Sequence, residues 1–515
     1  MFSPSISCRA AVIAAIAVCA ASAPAAGVKK ALPFPRDIRM TGGFVKNPPV
    51  EEKRDASLPA EGYVLEVGDG GAKITAADDR GAFYARMTMR QLTTGEGVAK
   101  CRVKDWPEFP VRMIHIDEGR HFFGKRNMLE TLEWMAYYKL NMVEWHLCED
   151  QGWRIQIDKY PNLTTYGATR NRTVVPGRFT GKYDNRKYGP YFYTKDDVRE
   201  ILAKARELHI EIIPDIEVPG HTRSVLAAYP EFCCEGFPLD ERACWSDWGV
   251  SDDVVCVGND AVVKFFCDVI DELSELFPDA RAINICGDEC GVKHWKECPK
   301  CQARKKKEGL KSERQLQGWI TDRLMDHLRR RGRKMMGYSP IVSTGSHLTP
   351  EDCYIICGCM DSPAAYAMKG FKVIQSPLEY CYWEFSQGIP GDTRQYDGFW
   401  AGSVPLGAVY SYDPRWTVPG EYHRNIIGAA GCMWSEQITD REDFQWKLWP
   451  RAIALAQQLW HPLPSGGYGY DAIFLPALRP HVELMRRSGI NVAGWDETVK
   501  RTSGEGYDYK GQILQ

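Results

Sequence analysis

The sequence predicts an α/β protein: a (β/α)8 TIM barrel preceded by a small α+β domain. After Pro110, short apolar runs of strand length alternate with amphipathic segments of helical length. Short strands that alternate with helices imply a parallel sheet, and eight such units over roughly 350 residues fit a closed barrel better than an open sheet. The eight predicted strands are Arg112–Asp117, Asn141–Leu147, Ile210–Ile216, Ala282–Cys286, Lys334–Tyr338, Tyr354–Cys359, Phe371–Gln375 and Ile426–Cys432.

The predicted helices between these strands carry apolar residues at helical spacing. They are Met128–Tyr138, Asp196–Leu208, Ala261–Phe277 and Glu313–Arg331. A further helix, Ala477–Arg487, is expected beyond the point where the barrel closes, near Trp460.

The segment that precedes the barrel is polar and punctuated by proline and glycine. It contains two predicted strands, Tyr63–Val67 and Ala72–Thr75, and one predicted helix, Gly81–Leu92. We therefore divide the chain into a signal peptide (1–26), a small α+β domain (27–107), the (β/α)8 barrel (108–465) and a C-terminal helix with a tail (466–515).

The first 26 residues have the pattern of a secretory signal. Arg9 is followed by a small apolar run, Ala10–Ala21, and by the small residues of a cleavage site, Ala23-Pro24-Ala25. An exported protein, periplasmic or secreted, is expected. Cys19 offers lipid attachment as an alternative, but Val18 before it is larger than lipoprotein signals favour. No later stretch approaches about 20 consecutive apolar residues, so no stable membrane span is expected.

Composition excludes several classes of function. Lys and Arg number 65 and Asp and Glu 67, a formal net charge of −2, so the whole chain has no electrostatic attraction for nucleic acid. With 44% hydrophobic and 26% charged residues the chain is typical of a soluble globular protein. The 16 Trp and 24 Tyr suit both core packing and stacking on sugar rings, so the count alone does not distinguish the two.

Carboxylates follow five of the eight predicted strands. In a TIM barrel the carboxyl ends of the strands carry the chemistry, and these residues are Asp117, Glu149-Asp150, Asp215 with Glu217, Asp288-Glu289 and Glu436. Carboxyl groups that converge on one mouth suit glycoside cleavage, in which an acid protonates the leaving oxygen and negative charge supports an oxocarbenium-like centre. Asp288 and Glu289 are neighbours, so they can face one substrate only where the strand breaks into a loop.

Cys290, Cys298 and Cys301 form a second pattern, a CxxC pair with a third cysteine eight residues before it. Such a set binds a structural zinc ion, with His294 as a fourth ligand, or forms a disulfide, or remains as free thiols. None of these requires a catalytic role, and catalysis itself is expected to need no cofactor.

The barrel sequence resembles glycoside hydrolase family 20, the β-N-acetylhexosaminidases. The resemblance rests on Arg112, Asp117, Arg120-His121-Phe122, the run from Lys139 to Pro161, Pro214 to His221, Gly287-Asp288-Glu289 and Trp434-Ser435-Glu436. It implies substrate-assisted retention, in which the 2-acetamido oxygen of the sugar is the nucleophile. Glu289 would then be the general acid and base, Asp288 would hold the acetamido nitrogen, and Glu149 with His221 would form a relay behind the acid.

The same resemblance implies the residues that bind the sugar. Arg112 and Glu436 are expected on the ring hydroxyls, Trp434 beneath the ring and Tyr382 on the acetamido oxygen; Asp150, Tyr338 and Glu384 complete the predicted set. The implied activity is an exo-acting removal of terminal β-linked GlcNAc or GalNAc from glycans. A relative with a changed pocket, such as a lacto-N-biosidase or a sulfated-GlcNAc hydrolase, and a non-catalytic glycan-binding protein are the alternatives.

Several positions depart from the family pattern. Asn284 and Cys286 replace the usual His and Gly before the acidic pair, and Glu149 replaces an Asp. Gly337-Tyr338 and Cys357-Gly358-Cys359 stand where the family usually has tryptophans, which predicts a wider or altered acetamido pocket. Because the pair Asp288-Glu289 is intact, we expect an active enzyme with altered support around the acid, Glu289. The neighbouring ionised carboxylate, Asp288, would raise the pKa of Glu289.

Overall fold

A computed structural model describes residues 30–175, 181–358, 361–388, 403–463 and 468–495, with two short strands, Gly506–Tyr507 and Ile513–Leu514. The predicted signal segment, 1–26, lies outside the described residues. Among the described residues, no helix combines the length and the apolar character needed to cross a membrane.

Eight parallel strands close into a barrel, which confirms the predicted fold class. The strands, which we number first to eighth along the chain, are Val111–Asp117, Met142–His146, Glu211–Asp215, Ala282–Asn284, Lys334–Tyr338, Cys353–Cys357, Lys372–Gln375 and Ile426–Met433. Pairing of the eighth strand with the first closes the ring.

The register of the first four strands aligns their carboxyl ends. Asp117 pairs with His146, His146 with Asp215, and Asp215 with Asn284. The loops that leave these strands therefore begin at one level, and this level is the mouth of the barrel.

The helices begin and end close to the predicted positions because their capping and apolar patterns are local. Thr194, for example, caps the helix Lys195–Glu207 in a reciprocal capping box with Asp197. The helices of eight or more residues in and after the barrel are Gly124–Tyr137, Lys195–Glu207, Asp260–Leu276, Pro299–Lys307, Arg314–Arg330, Arg441–Leu448, Arg451–Trp460 and Leu475–Arg487. Shorter helical turns are Asn162–Thr165, Arg223–Ala228, Pro230–Phe232, Lys293–Glu297, Pro340–Ser343, Pro363–Met368, Leu378–Cys381, Leu406–Ser411, Gly420–Asn425 and Tyr468–Phe474.

The small N-terminal domain is a mixed sheet with one helix, Asp79–Gln91. Its strands in spatial order are Asp37–Val45, Gly97–Asp105, Tyr63–Gly68, Gly71–Ala76 and Val50–Arg54, and Thr93–Thr94 pairs with Gly97–Asp105. The sequence analysis found the two central hairpin strands and the helix. Four further strands were not predicted: the outer strands Asp37–Val45 and Val50–Arg54, whose exposed faces dilute the apolar alternation, the inner strand Gly97–Asp105 and the short Thr93–Thr94.

Asp105, at the end of this sheet, joins the small domain to the underside of the barrel. Its buried carboxylate accepts hydrogen bonds from Tyr63 Oη at 2.8 Å, Lys139 Nζ at 2.9 Å and Trp460 Nε1 at 2.9 Å. Lys139 precedes the second barrel strand and Trp460 ends the last barrel helix, so one carboxylate ties together both domains and both ends of the barrel.

Candidate active site

The mouth of the barrel contains a pocket of about 350 Å³, a size typical of small-ligand sites. Seven of the residues predicted from the sequence line it: Asp288, Glu289, Tyr338, Tyr382, Glu384, Trp434 and Glu436. The other lining residues are Arg120, Trp248, Gly249, Val250, Ser339, Pro340, Gly358, Asp361 and Gln437.

Asp288 and Glu289 face the same pocket because the backbone before them leaves the strand geometry. The fourth strand ends at Asn284, and Cys286, Gly287 and Glu289 have φ values of 49°, 81° and 43°. Residues with left-handed backbone break the alternation that sends neighbouring side chains to opposite faces. A side chain at Gly287 would meet Ile341 Cγ2 at 2.8 Å, so this turn requires glycine.

His221 connects Glu289 to the barrel interior. Its Nε2 atom lies 3.5 Å from Glu289, and its Nδ1 atom lies 3.2 Å from Glu149 and 3.3 Å from Asp150. Burial opposes protonation of the ring, but the charge of Glu149 and the hydrogen bonds to Asp150, Glu149 and Glu289 raise the pKa of His221 well above its ordinary value. The structure thus brings together Glu149, His221 and Glu289 in the predicted order.

Asp150 lies behind this relay and does not line the pocket. It is fully buried, and its carboxylate accepts a hydrogen bond from the backbone N–H of Arg223 at 3.0 Å. The prediction that Asp150 binds substrate is therefore corrected: its contacts position His221.

The acidic pair has pKa shifts opposite to those expected. The hydrogen bond and the charge of His221 lower the pKa of Glu289 despite partial burial, whereas burial and the charge of Glu289 raise the pKa of Asp288 to about 6. The Glu289 side chain is 58% exposed, so the desolvation that would raise its pKa is incomplete in the free protein. Of the two carboxyl groups, Asp288 holds its proton to the higher pH.

Arg120, and not Arg112, supplies the guanidinium of the pocket. Arg112 is completely buried at the opposite end of the first strand, where it donates to Glu61 at 2.7 Å and to the carbonyl groups of Phe109 and Lys139. The prediction that Arg112 binds the sugar is wrong, because a side chain at the start of a barrel strand is on the far side from the mouth.

Arg120 follows the first strand and is held on three sides. Its guanidinium lies 3.2 Å from Asp117 and 2.6 Å from Glu149, and 5.0 Å above the ring of Trp434. Asp117 also accepts from the backbone N–H of Ser435 at 2.8 Å, which connects the ends of the first and eighth strands. This network fixes the guanidinium at the pocket wall with few degrees of freedom.

A layer of buried carboxyl groups lies beneath Asp288. Burial and the charges of Asp215 and Asp288 raise the pKa of Glu144 well above its ordinary range, and burial and the charge of Asp288 do the same for Glu217. The carboxylate of Asp215 lies 2.7 Å from His146 Nδ1. Acid groups therefore lie close to Asp288, and the charge of His221 partly opposes the rise of its pKa.

The two unusual residues before the acidic pair stabilise this layer. Asn284 accepts from the backbone N–H of Cys286 at 2.8 Å and donates to Glu144 through its amide. The Cys286 thiol donates to Asp215 at 3.2 Å. The departures from the family pattern therefore replace the usual support of the acid with an amide and a thiol.

Trp434 forms the aromatic floor between two tyrosines. The ring centroids of Tyr382 and Tyr338 lie 6.2 Å and 6.4 Å from that of Trp434. Gly358 leaves the space between them open, since a Cβ atom there would lie 3.1 Å from Tyr382 Oη. Trp434 Nε1 and Tyr338 Oη are buried and have no hydrogen-bond partner among the described residues. The side chains at positions 338 and 358 of this wall are thus smaller than the tryptophans of the family pattern.

Glu384 and Glu436 add carboxyl groups to the same chamber. Each has one buried oxygen without a hydrogen-bond partner within the described ranges. Burial raises the pKa of both groups, and that of Glu384 is raised further by Glu436. Both are placed to exchange hydrogen bonds with hydroxyl groups of a ligand.

Sequence reasoning missed Trp248 and Asp361 as pocket residues. Trp248 lies in the long irregular segment before the helix Asp260–Leu276, where no periodic pattern indicates a role. Asp361 accepts from the backbone N–H of Gly358 at 2.9 Å and from the Ser339 hydroxyl, so it shapes the wall beside Tyr338. A polar residue shortly after the sixth strand was the signal that could have identified it.

The predicted zinc ligands are only partly brought together. Cys298 and Cys301 lie in one buried cluster with Cys234 and Cys256. Cys290 is outside this cluster, where its thiol faces the carbonyl of Gly291 at 3.6 Å. His294 stacks on Phe237 with ring centroids 4.3 Å apart. The predicted set is therefore wrong in Cys290 and His294, and the cysteines that join Cys298 and Cys301 are Cys234 and Cys256.

A closed barrel whose mouth combines paired carboxyl groups, a tryptophan floor and a buried guanidinium has the architecture of a glycoside hydrolase. The chain belongs to glycosyl hydrolase family 20: the model of the family's catalytic domain matches residues 109–463, and that of its domain 2 matches residues 10–106.

Individual relatives agree with this membership. A β-hexosaminidase of Porphyromonas gingivalis is 35% identical over 424 residues, which are 79% of this chain and 52% of the relative. A β-hexosaminidase of Akkermansia muciniphila is 28% identical over 79% of this chain and 80% of its own length. The chain thus spans about half the length of the first of these relatives.

Among solved structures, the family 20 exo-β-N-acetylglucosaminidase of Vibrio harveyi in complex with N-acetylglucosamine superimposes with a TM-score of 0.78. It is 25% identical, and the match covers 92% of this chain and 80% of that one.

Proposed function

We propose that this protein is an exo-acting, retaining β-N-acetylhexosaminidase that removes terminal β-linked GlcNAc or GalNAc from glycans. The observation that carries the proposal is the turn after the fourth strand, which directs both Asp288 and Glu289 into one pocket with His221 3.5 Å behind Glu289. The names of the relatives and the bound N-acetylglucosamine of the Vibrio harveyi enzyme support the substrate class.

Substrate binding in this proposal uses the pocket residues in distinct roles. The apolar face of the sugar stacks on Trp434, and Arg120 donates to ring hydroxyls. Glu436 and Glu384, with their unpartnered buried oxygens, bond to the free hydroxyls of a terminal residue. Recognition of free hydroxyls is the support for exo action.

The acetamido group enters the space bounded by Tyr382, Tyr338 and Gly358. Asp288, in its ionised form, accepts the acetamido N–H, and the Tyr382 hydroxyl donates to the acetamido oxygen. These two contacts hold that oxygen beneath the anomeric carbon, which converts a bimolecular attack into an intramolecular one.

The first chemical step forms one bond and breaks another. The acetamido oxygen attacks the anomeric carbon as the glycosidic C–O bond breaks, and Glu289 transfers its proton to the leaving oxygen. The product is a bicyclic oxazolinium ion, whose positive charge the Asp288 carboxylate stabilises. In the second step Glu289 takes a proton from water, the water oxygen bonds to the anomeric carbon, and the ring opens to restore the acetamide with retained configuration.

The adjacency of the two carboxyl groups favours this route over a glycosyl-enzyme intermediate. An enzyme nucleophile and its acid flank the scissile bond from opposite sides, about 5–5.5 Å apart. Asp288 and Glu289 are consecutive residues of one turn, and substrate assistance is the established exception in family 20. No cofactor has a role in these steps.

We further propose export to the periplasm or the medium, supported by the pattern of residues 1–26. Fractionation followed by N-terminal sequencing tests this directly. A mature protein that begins near residue 27 is the expected result, and a cytosolic protein that retains Met1 contradicts export.

The decisive test of the activity is hydrolysis of aryl β-GlcNAc and aryl β-GalNAc by the wild type and by Glu289→Gln. We expect turnover by the wild type, a β-configured first product by NMR, and strong inhibition by an N-acetylglucosamine thiazoline. An active enzyme that the thiazoline does not inhibit would contradict substrate assistance. A wild type as inert as Glu289→Gln, with both still binding the sugar, would overturn the enzymatic proposal.

A further inference from the structure

Four cysteines from three separate segments converge beside the active-site loops. Cys234 follows the short helical turn Pro230–Phe232, Cys256 lies shortly before the helix Asp260–Leu276, and Cys298 and Cys301 flank the start of the helix Pro299–Lys307. All four side chains are buried, with 3% exposure or less. We name this group the thiol cluster.

The distances within the thiol cluster fit a shared metal ion. Cys256 Sγ lies 3.6 Å from Cys301 Sγ and 3.7 Å from Cys298 Sγ, and Cys234 Sγ lies 3.9 Å from Cys301 Sγ. All four sulfur atoms lie within 4.8 Å of one another. A tetrahedron with Zn–S bonds of about 2.3 Å separates its sulfurs by about 3.8 Å.

The same distances do not fit disulfides. A disulfide joins two sulfur atoms at about 2.05 Å, and no cysteine among the described residues has a partner at that distance. Two disulfides would also pair the four atoms, whereas Cys256 and Cys301 each approach more than one neighbour. The arrangement is that of four ligands around a centre.

The backbone around the thiol cluster is shaped for close approach. A side chain at Gly258 would collide with the backbone of Lys300 and Cys301. Trp295 Nε1 donates to the Val255 carbonyl at 3.0 Å and holds the two cysteine-bearing segments together.

We propose that Cys234, Cys256, Cys298 and Cys301 bind one structural zinc ion. Tetrahedral sites of four thiolates that leave no open position are structural, and zinc is the metal that such sites in folded loops most often hold. In the oxidising compartment proposed above, metal binding also keeps four adjacent thiols from being oxidised to disulfides.

The zinc ion would brace the rim of the pocket. Cys234 and Cys256 bracket the segment that carries Trp248, Gly249 and Val250, three residues of the pocket lining. Cys298 and Cys301 lie on the loop that leaves Asp288 and Glu289. One ion would therefore clamp the loop after the third strand to the loop after the fourth.

The test is the metal content of the full-length protein, purified without chelators and measured by native mass spectrometry and elemental analysis. We expect one zinc ion per chain in the wild type and in Cys267→Ser, a matched control on the helix Asp260–Leu276. Cys290→Ser should also retain zinc, whereas Cys256→Ser and Cys298→Ser should lose at least nine-tenths of it. A zinc-free wild type that takes up none on titration, or zinc loss in Cys290→Ser alone, overturns the proposal.

Spectroscopy of the wild type keeps the proposal testable if a variant fails to fold. Cobalt(II) that replaces the zinc should give the intense visible bands of a tetrahedral tetrathiolate, and stoichiometric zinc should displace it. Peptide mapping under non-reducing conditions is the second readout, because a disulfide between any two of the four cysteines contradicts zinc binding. Both readouts are independent of hydrolytic activity, so they remain valid whatever the outcome for the proposed function.

Discussion

The Nε2 atom of His221 lies 3.5 Å from the Glu289 carboxylate, while the Nδ1 atom of the same ring faces Glu149 at 3.2 Å. His221 carries a proton because Glu149, Asp150 and Glu289 surround it. The acid that the mechanism needs is therefore paired, in the free protein, with a cation that favours its ionised form.

Removal of His221 should shift the pH profile upward. The positive charge of His221 lowers the pKa values of both Glu289 and Asp288. His221→Asn deletes this charge, so both limbs of the kcat/KM profile should move to higher pH. The measurement is kcat/KM against pH on an aryl β-GlcNAc, with His347→Asn as the control because that side chain is 91% exposed. An unchanged profile at reduced rate would show that His221 has no electrostatic influence on the pair.

The wild-type profile should be bell-shaped with an acidic optimum. The reactive form carries one proton on the pair, which lies on Asp288 in the free protein and has to lie on Glu289 when the leaving oxygen is protonated. The profile of kcat/KM reports the pair in the free enzyme. As pH falls through the lowered pKa of Glu289, the pair binds a second proton. As pH rises through the pKa of Asp288, about 6, the pair loses its remaining proton. Activity should fall above roughly pH 6, and a plateau of kcat/KM that extends beyond pH 8 would contradict this assignment.

Asp288→Asn and Glu289→Gln should fail in different ways. Asp288→Asn removes the charge that stabilises the oxazolinium ion, which should reduce kcat by about 10²–10³-fold and weaken thiazoline binding. Glu289→Gln should reduce kcat by about 10²–10⁴-fold on substrates with poor leaving groups but leave thiazoline binding within a few-fold. Calorimetric binding and steady-state kinetics measure both; equal loss of thiazoline affinity in the two variants would contradict the division of roles.

The two arginines should separate into a pocket residue and a structural one. Arg120→Lys keeps the charge but loses the fork that contacts Asp117 and Glu149, and we expect kcat/KM to fall about 10-fold or more with little loss of stability. Arg112→Met leaves Glu61 with Arg80 as its ion-pair partner and removes the donor to two buried carbonyl groups, so the free energy of unfolding should fall by about 2–4 kcal/mol.

Denaturant unfolding and kinetics of the folded fraction distinguish these outcomes. Arg102→Ala, at a half-exposed arginine of the small domain, is the control for the Arg112 variant. A large rise of KM in Arg112→Met, with stability unchanged, would return Arg112 to the pocket.

The open wall at Gly358 should govern acyl selectivity. A Cβ atom at this position lies 3.1 Å from Tyr382 Oη, so Gly358→Ala should displace that hydroxyl and raise KM about 2- to 10-fold through a weakened hydrogen bond. The wild type should accept N-propanoyl and N-glycolyl analogues, and Gly358→Ala should discriminate against them. Gly68→Ala, where no atom lies within 4 Å, is the control; equal acyl preference in both variants would show that Gly358 does not shape the wall.

Much of the fold follows from the sequence because its determinants are local. All eight barrel strands lie within two residues of their predicted bounds, since each is a short apolar run that ends in polar residues. The turn after the fourth strand agrees with the expectation that Asp288 and Glu289 face one pocket only where the strand breaks into a loop, and the break falls at Cys286 and Gly287. Arg112 was predicted to bind the sugar, although strand position alone favours Arg120. Arg112 lies at the start of the first strand, and Arg120 lies beyond its end.

The thiol cluster shows where sequence reasoning fails. Cys298 and Cys301 are close in the chain, but Cys256 lies 42 residues from Cys298, and Cys234 lies 67 residues from Cys301. No spacing rule connects such positions, so the sequence pattern groups the CxxC pair with Cys290, eight residues before it, instead of with Cys234 and Cys256. The pKa order of Asp288 and Glu289 was unpredictable for a related reason, since it depends on the three-dimensional position of His221 and on burial.

The hydrogen bonds of Asp105 have a consequence for how this chain can diversify. Lys139 and Trp460 of the barrel place their polar atoms on a carboxylate that belongs to the small domain. A barrel inherited without that domain would lose the carboxylate that pairs with this lysine and the residues that cover it. Recombination can therefore append modules at either end of this pair of domains, but exchange of the small domain alone requires a partner that already carries an equivalent acid.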